Sequence, residues 1–396
     1  MPVINKEVAR KDEDIYLLVY RATLRGDWNE VRAFLERDRD VVRAGITRSK
    51  STILMAAVGC MRRKHFVSNL LRFMSPEDVT VADDNGKTSL HFAAKSGNIE
   101  GAKLLLVAKN PSLPTVSDND GNLPLYQAAS SGHENMFHYL MDLISEDVKE
   151  QLINRDSGTR IVTSFMLHGF YDIALSLVKR YPALARGSRC LSLFELIAVE
   201  NAAFRSGMKF NFWQRLIYFY VPVPLEESAY HRSGSNIENP TNFYSYVSGI
   251  KYIHDIKRKN EQALRLFKHF CMELAKVDSS EIEITTTINK SLIMAASYGI
   301  TQIVKEIISV FPEAIFHKNE EGQNLIHIAI VNRNIGLFKF IYKFSDELGV
   351  ARTLLLMSDS AGNTSLDMVA CLKSEQKLVL KDCAPGAALQ MQHELQ

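Results

Sequence analysis

Apolar residues recur every three or four positions in short segments along most of the chain. Two clear segments place them at Ala102, Leu105 and Leu106, and at Met136, Tyr139, Leu140 and Leu143. This spacing puts apolar side chains on one face of a helix. No apolar run approaches the ~20 residues that a bilayer-spanning helix needs. The pattern predicts short amphipathic helices whose apolar faces need neighbouring helices to cover them.

A turn-and-helix motif recurs along the chain. Residues 84–100 read DNGKTSLHFAAKSGNIE, and residues 119–134 read NDGNLPLYQAASSGHE. Shorter copies read GQNLIHIA at residues 322–329 and GNTSL at residues 362–366. The residue between paired helices falls at positions 26, 60, 97, 132 and 169, at intervals of 34, 37, 35 and 37. A period in this range indicates an array of structural repeats.

Individual positions of the motif fit a turn followed by a helix. Glycines occupy turn positions that favour a positive φ: Gly86, Gly121, Gly322 and Gly362. Residues with a side-chain oxygen precede helices, where they can cap free backbone N–H groups: Thr88, Asn324 and Thr364. Pro124 falls at a first helical position, where its missing N–H costs nothing. A second set of glycines is expected to end first helices: Gly97, Gly132, Gly169 and Gly299.

These motifs resemble the ankyrin repeat, whose signature reads D-x-x-G-x-T-P-L-H-x-A-A-x-x-G-H. The resemblance implies an all-α ankyrin-repeat solenoid of helix-turn-helix units with short hairpin tips. Each helix pair alone would leave an apolar face in water, whereas stacked pairs cover one another. We therefore predict this solenoid, interrupted by one irregular insertion.

The repeat pattern weakens after residue 187. Residues 221–247 are rich in Pro, Ser, Asn and Gly, which indicates a long exposed loop. An amphipathic helix follows, with one apolar face: Ile253, Ile256, Ala263, Leu264, Phe267, Cys271 and Leu274. We predict four segments: an N-terminal ankyrin-repeat block over residues 1–220, a flexible insertion over 221–247, a C-terminal block over 248–383 that begins with the amphipathic helix, and a tail over 384–396.

Four further segments carry a narrower resemblance. They read FWQRLIY at residues 212–218, FPEAI at 311–315 and GAALQMQHELQ at 386–396, together with residues 250–274. They are similar to the plant family of ankyrin-repeat proteins with a C-terminal PGG membrane domain, which includes the accelerated-cell-death and salt-tolerance types. The resemblance implies a cytosolic protein-binding scaffold that acts in plant defence and stress signalling. It implies a place at the cytosolic face of the plasma membrane if the full-length product carries the membrane domain of the family.

The last residue of the chain, Gln396, stands where the membrane domain of that family would soon begin. Two functions are therefore expected from the resemblance. One is the cytosolic recognition array of a membrane signalling protein. The other is a free soluble adaptor or decoy that competes with full-length relatives for partners.

The charge balance and the cysteine content indicate which partners and which cellular compartment to expect. The chain carries 47 Lys and Arg against 45 Asp and Glu, a formal net charge of +2. That balance argues against nucleic-acid binding through bulk attraction to phosphates. Its five cysteines include no C-x-x-C pair, which favours reduced thiols in the cytosol. One basic cluster is either a solvated helix face or a weak contact with acidic lipid headgroups: Lys251, Lys257, Arg258 and Lys259.

No catalytic, cofactor or metal site is predicted. Residues 86–88 read GKT, like the end of a phosphate-binding P-loop, but Val81 stands where that motif needs glycine. The chain has no H-E-x-x-H, G-x-S-x-G or paired-cysteine motif. His91 and His327 occupy the histidine position of the repeat, where a structural role is expected. An enzyme is only a remote alternative, because nothing pairs a nucleophile with a base.

The predicted binding surface consists of hairpin tips and the exposed positions of first helices, where repeat arrays present a concave face to protein or peptide partners. The candidate residues are Asp84, Asn85, Lys87, Lys95, Ser96, Asn119, Asp120, Asn122, Ser130, Ser131, Glu320, Glu321, Gln323, Val331 and Asn332. The acidic tips favour a partner with a basic or amide-rich surface.

Overall fold

A computed structural model gives the fold of the chain. It describes residues 4–60, 64–108, 110–153, 156–185, 187–200, 203–204, 211–221, 248–276 and 282–370. These residues form helices, turns and loops, with no β-strand among them. They divide into two compact units, with the division after His168. The predicted all-α fold is confirmed.

The first unit contains ten α-helices in the described residues. They are α1 (Ile4–Arg25), α2 (Trp28–Arg37), α3 (Ile53–Cys60), α4 (Lys64–Arg72), α5 (Ser89–Ser96), α6 (Ile99–Ala108), α7 (Pro124–Ser130), α8 (Glu134–Leu143), α9 (Glu146–Ile153) and α10 (Asp156–Leu167).

The described part of the second unit also contains ten α-helices. They are α11 (Tyr171–Arg180), α12 (Gly187–Val199), α13 (Phe212–Tyr220), α14 (Ser248–Leu274), α15 (Ile282–Ser297), α16 (Thr301–Val310), α17 (Leu325–Val331), α18 (Ile335–Glu347), α19 (Ala351–Leu356) and α20 (Ser365–Ala370).

The helices of the first unit stack in two layers. First helices of successive repeats pack in the order α1, α3, α5, α7 and α10, while the second helices α4, α6 and α8 form the layer behind them. The paired alanines Ala93–Ala94 and Ala128–Ala129 are fully buried between α5 and its neighbours. Because alanine has so small a side chain, these helices can approach closely. Each repeat thereby covers the apolar face of the next, as the sequence predicts.

The second unit repeats this arrangement. First helices pack in the order α12, α15, α17 and α20, and the second-helix layer contains α11, α14, α16 and α18. Helix α14 packs against α12, α11 and α16, so it is the second helix of the repeat that α12 begins. From the sequence, α14 is instead expected to lead a separate block. Two of its predicted apolar positions, Ile256 and Leu264, are half-buried, and the other five are buried.

The turn glycines adopt the backbone conformation that the motif predicts. Gly86, Gly121, Gly322 and Gly362 have φ of 76°, 74°, 74° and 82°. Pro124 begins α7, and Thr88 and Asn324 precede α5 and α17 as capping residues. Residues 222–247 and 371–396 lie outside the described residues. The predicted insertion, the predicted tail and the four-segment division therefore stay predictions.

Candidate partner-binding surface

In two hairpin tips of the first unit, an aspartate at the start of the tip organises the turn. The Asp83 carboxylate accepts hydrogen bonds from the backbone N–H groups of Asn85 (3.0 Å) and Lys87 (2.8 Å). Asp118 does the same for the N–H groups of Asp120 (3.1 Å) and Asn122 (2.8 Å). Both aspartates are buried. Each carboxylate therefore replaces water for two backbone donors and holds the tip in one conformation.

Hydrogen bonds between backbones join each tip to the next. The Asn119 N–H donates to the Asn85 carbonyl (3.0 Å), and the Asp84 N–H donates to the Ser49 carbonyl (3.0 Å). The Asn119 side-chain amide adds a bond to the Asp84 carbonyl (2.9 Å). In the second unit the Ser360 N–H donates to the Glu321 carbonyl (2.9 Å). Because the tips are linked in this way, the spacing between their exposed side chains is set within each unit.

A buried histidine connects one repeat to the tip of the following repeat. His91 Nδ1 accepts a hydrogen bond from the Thr88 N–H (3.0 Å), and Nε2 lies 3.2 Å from the Asn122 carbonyl oxygen. Since a carbonyl can only accept, Nε2 carries the proton. His327 Nδ1 likewise accepts from the Asn324 N–H (3.2 Å). Burial lowers the pKa of both histidines, so both are neutral structural groups.

The predicted tip residues differ in exposure. Six are exposed: Asp84, Asn85, Asn119, Asp120, Glu320 and Glu321. Lys87 is half-buried, whereas Asn122 and Gln323 are buried. The Asn122 amide donates to Asp118 (3.2 Å), and the Gln323 side-chain oxygen accepts from Asn319 (3.2 Å). These two side chains therefore stabilise their turns.

Predicted residues on the first helices also contact the preceding repeat. The Ser96 hydroxyl donates to the Val58 carbonyl (3.1 Å), and the Asn332 amide donates to the Ser297 carbonyl (3.2 Å). Of the six predicted binding residues on first helices, Lys95 and Asn332 are exposed. The other four are half-buried: Ser96, Ser130, Ser131 and Val331. The candidates thus form two groups, residues 84–131 in the first unit and residues 320–332 in the second.

An arginine–tyrosine pair beside the first group is absent from the sequence-based candidates. The guanidinium of Arg160, on α10, lies 4.5 Å from the centre of the Tyr126 ring on α7. One terminal nitrogen donates to the Tyr126 hydroxyl (2.9 Å), and the other donates to the side-chain oxygen of Asn122 (3.2 Å). Arg160 is exposed, and Tyr126 is half-buried. One feature of the sequence could have pointed to this pair. Tyr126 stands 35 residues after His91, so it occupies the histidine position of the motif.

The described residues contain no cluster of three or more histidine, cysteine or acidic side chains that could hold a metal ion. Burial raises the pKa of the Cys190 thiol to about 12, and it also raises the pKa of Cys271. Both thiols are therefore protonated and unreactive at neutral pH. Among the helices that the structure describes, none combines the length and hydropathy needed to cross a bilayer.

Residues 54–151 match the family model for ankyrin repeats, in three copies. The match shows ankyrin repeats over these residues, and the stacked helix pairs of the described residues are consistent with an all-α ankyrin solenoid. Ankyrin repeats are generally protein–protein interaction modules and are typically non-enzymatic.

No curated protein matches the chain. Among solved structures, a similar chain occurs in the crystal structure of the yeast ribosomal protein Rps3 in complex with its chaperone Yar1. The two chains are 22% identical, with a TM-score of 0.30, and the alignment covers 34% of this chain and 93% of that chain.

Proposed function

We propose that the chain is a non-catalytic scaffold that binds a protein segment across the tips and first helices of its first unit. The observation that carries this proposal is the pair formed by Arg160 and Tyr126. Arginine and tyrosine dominate the binding energy of many protein interfaces. The pair lies beside a row of linked tips, where a partner can contact several repeats at once.

Arg160 is oriented before a partner arrives. Two of its five N–H donors are occupied, by Tyr126 and by Asn122, and the ring of Tyr126 supports the guanidinium plane. The remaining donors can bind a carboxylate or a backbone carbonyl of a partner. Little side-chain entropy is then lost on binding, because the geometry of the guanidinium is already restricted.

The exposed acidic tips add a second kind of contact. Asp84 lies 3.1 Å from the ammonium of Lys50, so its charge is already partly compensated. Asp120 in the first unit, and Glu320 and Glu321 in the second, stay exposed. We propose that Asp84 and Asp120 bind basic or amide-rich side chains of this partner, and that Glu320 and Glu321 offer the same kind of contact in the second unit.

Selection of peptides from a random display library against the immobilised chain tests this function. We expect peptides whose affinity falls about 30-fold for the Arg160→Ala variant, which corresponds to ~2 kcal/mol at an interface hot spot. Arg32→Ala, at an exposed arginine on α2, is the matched control and should bind normally. Equal affinity of the two variants for every selected peptide would contradict the proposal.

We further propose a cytosolic role in a plant stress- or defence-signalling membrane protein. Support comes from the resemblance of residues 212–218, 250–274, 311–315 and 386–396 to the plant PGG family. Sequencing the transcript beyond the codon for Gln396 tests this role. Apolar segments of ~20 residues downstream would support the membrane protein. A stop codon at that point would favour the soluble adaptor or decoy.

A further inference from the structure

Helix α13 carries its largest apolar side chains on the face that points away from the protein. Tyr218 and Val221 are buried, and α13 packs against α14. Five apolar residues spaced along the other face are exposed: Phe212 (72%), Trp213 (69%), Leu216 (42%), Phe219 (67%) and Tyr220 (73%). The helix is therefore amphipathic with its more apolar face turned outward.

Contacts made by residues other than these five hold α13 in place. At its start, the side chains of Asn211 and Gln214 each accept a hydrogen bond from the other's backbone N–H (2.8 and 3.0 Å). At its end, the Lys257 ammonium donates to the Val221 carbonyl (2.7 Å), and the Asn260 side chain lies 3.2 Å from the Tyr218 hydroxyl. Caps at both ends and an anchor on α14 thus hold the helix in place.

The exposed face is as large as the apolar patches that often mark interaction sites. An aromatic side chain contributes roughly 150–250 Å² of surface, so four that are about two-thirds exposed approach or exceed the few hundred Å² usual for the largest apolar patch. Tryptophan, tyrosine and phenylalanine are also the residues that favour the boundary between lipid headgroups and acyl chains. The composition therefore fits a helix that lies in the plane of a membrane surface.

The α14 charge that contacts α13 is positive, and two further exposed cations lie on the same helix. Lys251 and Arg258 are exposed seven residues apart on α14, which places them on one side of that helix. Lys257 is at the junction with α13, and Asp255, 3.8 Å from Arg258, is a nearby counter-charge. A second copy of the chain packed on this face would bring like charges together. An anionic surface would instead be attracted.

We propose that α13 docks the chain onto an anionic lipid bilayer, with the five apolar side chains entering the headgroup region and Lys251 and Arg258 contacting acidic headgroups. This attachment is peripheral, and it is independent of the protein partner bound by the first unit.

Trp213 provides a direct readout, because the chain has only one other tryptophan, Trp28. We would measure the fluorescence of the full-length Trp28→Phe variant, and its co-sedimentation, with phosphatidylcholine vesicles that contain or lack phosphatidylserine. We expect a blue shift of Trp213 emission and co-sedimentation only with the anionic vesicles. Raised salt should weaken both.

Two double variants separate the contributions of apolar and basic side chains. Phe219→Ser/Tyr220→Ser should abolish co-sedimentation, and Lys251→Gln/Arg258→Gln should weaken it about 30-fold, since each basic residue near the surface adds ~1 kcal/mol. The matched controls are Tyr298→Ser, at an exposed aromatic residue outside this face, and Lys343→Gln/Arg352→Gln, which removes equal charge elsewhere. Circular dichroism checks that every variant is folded.

Three outcomes would overturn the proposal. The parent chain could fail to bind anionic vesicles, or the two test variants could bind as well as their controls. Alternatively, analytical ultracentrifugation could show a dimer that Phe219→Ser/Tyr220→Ser dissociates, which would assign the face to a second copy.

Discussion

The Nε2 atom of His91 lies 3.2 Å from the carbonyl oxygen of Asn122, a residue in the tip of the following repeat. This hydrogen bond and the one from the Thr88 N–H to Nδ1 use both ring nitrogens. A single buried imidazole therefore joins a helix start in one repeat to the turn of the next. Such contacts between neighbours carry much of the stability of a repeat array.

Replacing this histidine should destabilise the first unit. His91→Ala leaves the buried Thr88 N–H without its partner, at a cost of about 1–3 kcal/mol. It also removes one of the two hydrogen bonds to the Asn122 carbonyl, which keeps the bond from the Asp118 N–H (2.9 Å). His133→Ala is the matched control, because the His133 bond to the Lys95 carbonyl (3.0 Å) is solvent-exposed and water can replace it. Urea denaturation should show a clearly lower midpoint for His91→Ala. Equal midpoints for the two variants would be inconsistent with the linking role.

The buried histidines also make stability depend on pH. Burial lowers the pKa of His91 and of His327 below the ordinary value of about 6.5. The unfolded chain therefore takes up these protons at a higher pH than the folded chain does. The contribution of the two histidines to the free energy of unfolding is complete above about pH 6.5. It falls as the pH decreases towards their folded-state pKa.

We expect a lower urea midpoint at about pH 5.5 than at pH 7.5, with a smaller difference in His91→Gln, which removes one of the titrating groups. This pH interval lies above the ordinary carboxylate pKa values near 4. The change in stability across it therefore comes from histidines and not from carboxylates. A midpoint that rises on acidification would contradict the assignment of these imidazoles as neutral.

Two tip glycines share a backbone conformation but differ in their surroundings. Gly86 (φ 76°) and Gly121 (φ 74°) should both resist substitution, because a side chain at positive φ costs roughly 1–2 kcal/mol. A Cβ on Gly86 would lie 2.7 Å from the Asn119 backbone nitrogen, whereas a Cβ on Gly121 would meet nothing within 4 Å. Thermal unfolding should therefore show a larger decrease in melting temperature for Gly86→Ala than for Gly121→Ala. The reverse order would argue against close contact between the tips.

Arg333 occupies the place that glycine holds after the first helices of other repeats. Its φ is 52°, and one terminal nitrogen is buried without a hydrogen-bond partner. Arg333→Gly should stabilise the second unit by about 1 kcal/mol, since it removes backbone strain and the unpaired donor. Asn332→Gly is the control: φ is −83° there, so glycine should destabilise. Calorimetry of the two variants measures both effects.

The repeats could be predicted because their turns depend on local chemistry. The positive φ of Gly86 and the helix start at Pro124 follow from residue type and position alone. Asp83 was missed as the organiser of its turn, although it begins the D-x-x-G motif one residue before Asp84. The motif alone does not distinguish the aspartate that binds the backbone from the one that faces solvent.

Tertiary contacts account for the other differences. Helix α14 pairs with α12 across residues 200–247, and no local pattern connects helices so far apart in sequence. The pair of Arg160 and Tyr126 depends on α10 packing beside α7. The position of Gly169 aligns α10 with the other first helices, but it does not show which side chains meet between the two repeats. Burial of Asn122 likewise involves other repeats, because His91 contacts its carbonyl oxygen and Arg160 donates to its side-chain oxygen.

Photo-crosslinking tests most directly whether a partner covers the tips and first helices of the first unit. A photoreactive residue would replace Asp120 on a tip, Lys95 on α5 or, as a control, Lys103 on the second helix α6; all three are exposed. With a peptide selected by the parent chain, we predict crosslinks from positions 120 and 95 and none from position 103. Crosslinking from position 103 alone would contradict the account.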